Sequence, residues 1–169
     1  MTVSRRRFLE GAAALAVSAS LAPSARALAQ PRFSASPWTL GVASGYPDAE
    51  GMTLWTRLAP EPLAGGGMPQ VPVDVRWEVA ADESFRVIAA SGTARAVPHW
   101  AHSVHVDVRG LEPARFYWYR FHAGDATSPV ARTRTAPAAD TAASRLRFAV
   151  AACQQYEQGY YTAYRHMAR

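Results

Sequence analysis

The chain has 169 residues, 49% hydrophobic and 18% charged, with a formal net charge of +5. This is ordinary globular composition, long enough for one domain and part of a second. All 18 basic residues are arginines scattered along the chain, so a basic arm for nucleic acid is excluded; the single cysteine excludes an internal disulfide.

The first segment, MTVSRRRFLEGAAALAVSASLAPSARALAQ, has a charged head, a weakly apolar middle and a small-residue end. Such a layout is a targeting signal. The apolar run Gly11–Ala22 is shorter than the roughly 20 helical residues that a bilayer core requires. No stable membrane anchor is therefore expected. Arg5 and Arg6, followed by Phe8 and Leu9, resemble the twin-arginine export signal, an address read by a receptor. Ala27-Leu28-Ala29 and Ala25-Arg26-Ala27 are small-x-small patterns, and cleavage is expected after Ala29. The predicted location is the periplasm, the cell surface or the medium. The twin-arginine export machinery is the partner this implies. That route carries folded proteins, often loaded with a cofactor.

From residue 30 the pattern changes to short apolar runs between turn residues. TLGVASG and MTLWTRL come first; the loop APEPLAGGGMP, with three glycines and three prolines, is expected to be flexible and exposed. Val73, Val75, Trp77 and Val79 alternate with Asp74, Arg76 and Glu78, which predicts a strand with one core face and one wet face. RVIAASGTARAV reads as one strand, or as two joined at Ser91-Gly92. Val104, Val106 and Val108 alternate with Ser103, His105, Asp107 and Arg109. In RFYWYRFHAG, Tyr117, Tyr119 and Phe121 share one side, and Phe116 and Trp118 the other. A strand apolar on both sides is covered on both sides, so the second face is expected against a neighbouring domain. ARTRT closes the series as a polar edge.

This spacing predicts an all-β domain, a sandwich of immunoglobulin or fibronectin type III style, over 30–137. Leu111-Glu112-Pro113 followed by Tyr117 matches the corner in which a buried tyrosine hydroxyl bonds back to the backbone. Trp55 is expected to pack in the core as the second-strand tryptophan. His99, His102 and His105 stand three apart; residues so spaced on a strand face opposite ways, so His102 and His105 do not share an ion. They and His122 are read as surface or loop residues.

Residues 138–145 are small and polar, a linker by composition. Leu146–Ala152 lacks alternation, as a strand buried on both faces does, and Cys153 ends it. Tyr156, Tyr160 and Tyr164 recur at helical spacing, which places a helix from about Gln158 or Gly159. Strand, loop and helix open a βαβ unit, and sites in such sheets gather beyond the carboxyl ends of the strands. A thiolate there is a ligand for zinc or iron, while the plainer reading is a buried structural cysteine.

The blocks FSASPWTLGVASGYPDAEGMTLWTRL, VRWEVAADESF, HSVHVDVRGLEPARFYWYRF, SPVARTRT and FAVAACQQYEQGYYTAYRHMA, in this order, resemble the alkaline phosphatase D (PhoD-like) family. The resemblance implies a signal over 1–29, a sandwich, and, over 146–169, the first strand and helix of a truncated α/β metallophosphoesterase domain. It implies metal-dependent hydrolysis of a phosphate-ester substrate, with iron (Fe3+) and calcium as cofactors. Cys153 then corresponds to the family's iron-binding cysteine, with Ala152 in place of the more usual serine. The family's other ligands are implied beyond Arg169, starting with a Gly-Asp-x-x-Tyr type motif. No catalytic residue is assigned within the chain, and the fragment alone is expected to be inactive. Rival readings are a purple-acid-phosphatase-like enzyme, a non-catalytic sandwich module gripping glycan or protein through Trp38, Tyr46 or Trp100, and a decayed gene product.

Overall fold

The computed structural model describes residues 31–142, Arg145, 147–153, Gln155, Glu157 and 159–167. The leader, with Arg5, Arg6, Phe8, Leu9 and Ala29, lies outside the described residues. The chain divides into two compact units after Ala138. Among the described residues no helix is long and apolar enough to cross a membrane.

The described residues of the first unit form eight strands: β1 (Val42–Gly45), β2 (Met52–Arg57), β3 (Val73–Ala80), β4 (Ile88–Ala96), β5 (Ser103–Val108), β6 (Phe116–Ala123), β7 (Ala126–Thr127) and β8 (Ala131–Arg134). One sheet runs β1-β2-β5, the other β4-β3-β6, with β7 and β8 also pairing β6; every pairing is antiparallel. The chain changes sheet between β2 and β3, between β4 and β5 and again between β5 and β6. This is an all-β sandwich with a fibronectin type III-like layout.

Period-two burial builds the core. Met52, Leu54 and Thr56 point inward from β2, Val104, Val106 and Val108 from β5, Val73, Val75 and Val79 from β3, and Tyr117, Tyr119 and Phe121 from β6. Four departures from the sequence pattern have local causes. Trp55 is on the outer, half-buried face of β2, because Leu54 and Thr56 hold the inner positions. The buried tryptophan is instead Trp38, which lies before β1, stacks on Phe121 at 6.3 Å and is not an exposed contact. Glu78, expected in water, is buried. Glu78 is covered on the outer face by Arg76, Arg120 and His122, and a register shift between Val79 and Ala80 ends the alternation just beyond it, so Glu78, Val79 and Ala80 are buried in succession. Lastly, the triple-glycine loop is pinned: Glu61 and Gly66 exchange backbone hydrogen bonds of 3.0 and 2.9 Å. Gly65, Gly66 and Gly67 supply the three successive positive φ values, 75°, 95° and 71°, that close this turn.

RVIAASGTARAV forms one strand. Its Gly92 sits opposite Trp77, and a Cβ there would lie 2.7 Å from the indole, so the missing side chain makes room for the ring. On the outer side of β6, Arg132 and Arg134 lie 4.7 and 5.0 Å from the ring centre of Phe116, which stays partly exposed, and Arg120 lies 4.0 Å from that of Phe85.

The corner before β6 is formed as its spacing predicts. The Glu112 N–H donates to the Tyr117 hydroxyl at 2.9 Å. The buried Thr135 hydroxyl donates to Glu112 O at 2.7 Å and accepts from Arg115 N–H at 3.1 Å. Tyr117 thus fixes the entry of β6, and Thr135 ties that entry to the segment that leaves β8.

The second unit differs from its sequence pattern. Residues 147–153 form no strand, and Phe148 and Val150 are 80% and 79% exposed. A lone strand has no ladder partner and no face to cover it. The helix α1, Thr162–Met167, starts later than predicted and buries nothing. Tyr160 precedes it, 93% exposed; Tyr156 lies outside the described residues.

Replacing Tyr117 with Phe removes one hydroxyl and leaves the Glu112 N–H without its acceptor. Tyr117→Phe is expected to keep the fold and lower the unfolding free energy by about 1–3 kcal/mol. Urea denaturation checks this, with an unchanged slope showing that only stability has moved.

Candidate functional site

Cys153 is a free, exposed thiol in the second unit. Its backbone is left-handed, with φ 56°. A thiolate is chemically suited to iron or zinc. Among the described residues, however, no group of three or more His, Cys, Asp or Glu side chains is close enough to hold a metal ion. A site needs several donors fixed together. One thiol fits as a donor but does not make a site, so no chemical step can be assigned to it in this chain.

The densest charged cluster lies in the sandwich, on the outer face of the larger sheet. Antiparallel pairing sets Arg76 of β3 opposite His122 of β6, and Glu78 opposite Arg120. Arg76 donates to one carboxylate oxygen of Glu78 at 2.6 Å; Arg120 donates to the other at 2.8 Å. His122 Nε2 lies 3.2 Å from that second oxygen. A carboxylate accepts only, so the proton sits on Nε2, and Nδ1 faces the Thr127 hydroxyl at 3.0 Å. Burial works to raise the Glu78 carboxyl, but the hydrogen bonds of Arg120 and His122 and the charges of Arg120 and Arg76 outweigh it. They hold the group below its ordinary value of 4.5. Both oxygens are occupied and the acid stays ionised. The cluster therefore clamps β3, β6 and β7 together and has no proton to give.

The turn between β3 and β4 completes this clamp. Asp82 accepts from the backbone N–H groups of Ser84, Arg86 and Val87 at 3.1, 3.3 and 2.7 Å. The Val87 N–H is the largest cause of its lowered carboxyl pKa. The turn so fixed carries Phe85 over the Arg120 guanidinium.

The histidines separate by environment. His99 and His105 are exposed, as read from sequence. His102 is not: it is 3% exposed, with Nε2 3.0 Å from Val71 O. His122 is a half-buried strand residue within the clamp, not a surface histidine. His102 points in and His105 points out, so they share no ion. Tyr46 and Trp100 are exposed, at 89% and 67%. The Glu78 clamp was missed in the sequence because its members lie 42 and 44 residues apart; only their shared strand face could have flagged them.

Residues 22–137 match the family described as PhoD-like phosphatase, N-terminal domain. Alkaline phosphatase D of Bacillus subtilis (strain 168) is 53% identical over 174 residues, covering 99% of this chain and 30% of that protein. A solved structure of PhoD superposes with a TM-score of 0.80 at 57% identity, over 82% of this chain and 27% of that one. The chain thus spans less than a third of the length of these relatives.

Glu78→Gln keeps the shape of the clamp and removes its charge. A carboxyl with a depressed native pKa contributes stability above its unfolded value, and that contribution is lost as pH falls through the native value. The variant is therefore expected to be less stable than the parent by about 2 kcal/mol at pH 7. The difference should shrink as pH falls below 4.5. Paired denaturation curves across that range check the sign.

Proposed function

This chain belongs to the PhoD-like phosphatase family through its N-terminal domain, and from that premise we propose that it is the front of an exported, metal-dependent phosphoesterase. The observation that carries the reading is the 53% identity to an alkaline phosphatase D over nearly the whole chain. In this reading Arg5, Arg6, Phe8 and Leu9 present the export signal, and cleavage follows Ala29. The sandwich occupies 30–137, the segment 138–145 links it onward, and 146–169 opens the catalytic domain. The mature protein resides in the periplasm, at the cell surface or in the medium.

The reaction is hydrolysis of a phosphate ester. Bound iron and calcium would neutralise the phosphate and supply a hydroxide-like nucleophile. Cys153 is the residue of this chain that would hold the iron, its thiol deprotonated on binding. Its exposure supports the role, since a donor must reach partners from elsewhere. The Glu78 cluster of the sandwich is internally paired, which supports a structural role for it in the front domain. The short run before Cys153 gains its strand pairing only when the rest of a sheet is beside it.

The purified 169-residue chain is expected to hydrolyse p-nitrophenyl phosphate no faster than buffer, with or without added iron and calcium. A longer protein that begins with these residues is expected to hydrolyse it. In that protein Cys153→Ser should lose iron and most activity. Turnover by the short chain would overturn the division of labour, and unchanged iron in the variant would remove Cys153 from the metal.

A further inference from the structure

We infer that the seam between the free edges of β4 and β5 is a glycan-binding groove, with Trp100 as its stacking platform. The inference stands independently of the phosphatase reading. Each sheet of the sandwich has two edges. On one side of the sandwich, β1 and β8 are bridged by a Ser44–Thr133 hydroxyl hydrogen bond of 2.9 Å. On the other side, β4 and β5 lie close together but form no ladder: among the described residues β4 pairs only β3, and β5 only β2. Between them lies a groove of about 440 Å³ lined by Ala94, Arg95, Trp100, Ser103, Val104 and His105. That volume is in the range of small-molecule sites.

Trp100 is held where it is. The Pro98–Trp100 turn leads into two successive left-handed residues, Ala101 at φ 48° and His102 at φ 56°. Neither is glycine, so the conformation persists only because its surroundings impose it. Trp100 N–H and His102 N–H both donate to Val97 O, at 3.1 and 2.9 Å. Arg57 Nε donates to Ala101 O at 3.0 Å, and Leu58 N–H to His102 O at 3.1 Å. The buried His102 ring is anchored on Val71 O. His99 meets the Trp100 ring edge-on at 5.2 Å. This over-determined loop leaves a large apolar ring 67% exposed. A preorganised, exposed tryptophan is a binding anchor more than a packing residue.

The lining chooses the ligand class. A pyranose ring has an apolar C–H face and a rim of hydroxyls. The indole takes the face; Ser103, His105, Arg95 and the unpaired peptide groups of the two edges take the hydroxyls. Arg95 is bridged to Asp74 at 3.3 Å, so the groove has no strong charge bias. A neutral saccharide fits this better than a nucleotide or an acidic peptide.

The test titrates the full chain with cellohexaose, maltohexaose and chitohexaose, read by two-dimensional amide and indole NMR. At least one sugar should give saturable shifts of the Trp100 indole N–H and of the Ser103 and His105 amides. Trp100→Ala should weaken that binding about tenfold or more without changing the thermal unfolding midpoint, since the ring is exposed. Tyr46→Ala removes an exposed ring outside the groove and should leave binding unchanged. Absence of shifts with all three sugars overturns the proposal, as do shifts that survive Trp100→Ala. Shifts that appear on raising protein concentration alone overturn it too, and mark the seam as a contact between copies of the chain.

Discussion

The strand Phe116–Ala123 must satisfy two faces and two edges at once, and the sandwich is arranged around that requirement. Its inner face delivers Tyr117, Tyr119 and Phe121 to the core. Its outer face delivers Arg120 and His122 to Glu78. Its edges pair with β3 on one side and with β7 and β8 on the other. Tyr117 adds the corner bond that fixes where the strand begins. Slipping this strand by one residue would send three aromatic rings to solvent and two charged groups into the core. Register is therefore specified here more strongly than anywhere else in the domain.

The larger sheet shows why a charged residue can be buried without a catalytic purpose. Glu78 loses water and gains three donors from two strands. Such a group is costly to leave unpaired and only modestly favourable when paired, so it acts as a register pin more than as a source of stability. Phe85, carried over Arg120 by the Asp82 turn, shields the pair from solvent. Local turn chemistry and a distant ion pair thus support the same strand alignment.

The sandwich was legible because its signals are local. Alternation in β3, β5 and β6 and the spacing from Leu111 to Tyr117 each lie within one short window. What was not legible depended on the opposite sheet or on a bulge. Trp55 reads as core by composition, yet its phase along β2 relative to Leu54 turns it outward. Trp38 sits in a segment with no periodicity, and only the packing of Phe121 against it makes it core. His102 looks like one of an exposed triplet until Val71, 31 residues earlier, supplies its partner. After residue 138 the limit is different in kind. Metal sites gather donors from separated loops, and Cys153 has neighbours of that kind neither in sequence nor among the described residues.

The two units accordingly hold their polar groups in opposite ways. In the sandwich, several polar groups are already paired: Glu78 with Arg76, Arg120 and His122, His102 with a carbonyl, and Asp82 with backbone N–H groups. What remains open is of the recognition type: an exposed indole, a guanidinium bridged to a carboxylate, and free peptide edges along one seam. In the second unit the Cys153 thiol is free and exposed. Buried ionisable groups already paired in this way serve to hold the sheet in register. An exposed thiol has the reverse property. One thiol does not make a metal site, and what it contributes depends on the further donors brought to it.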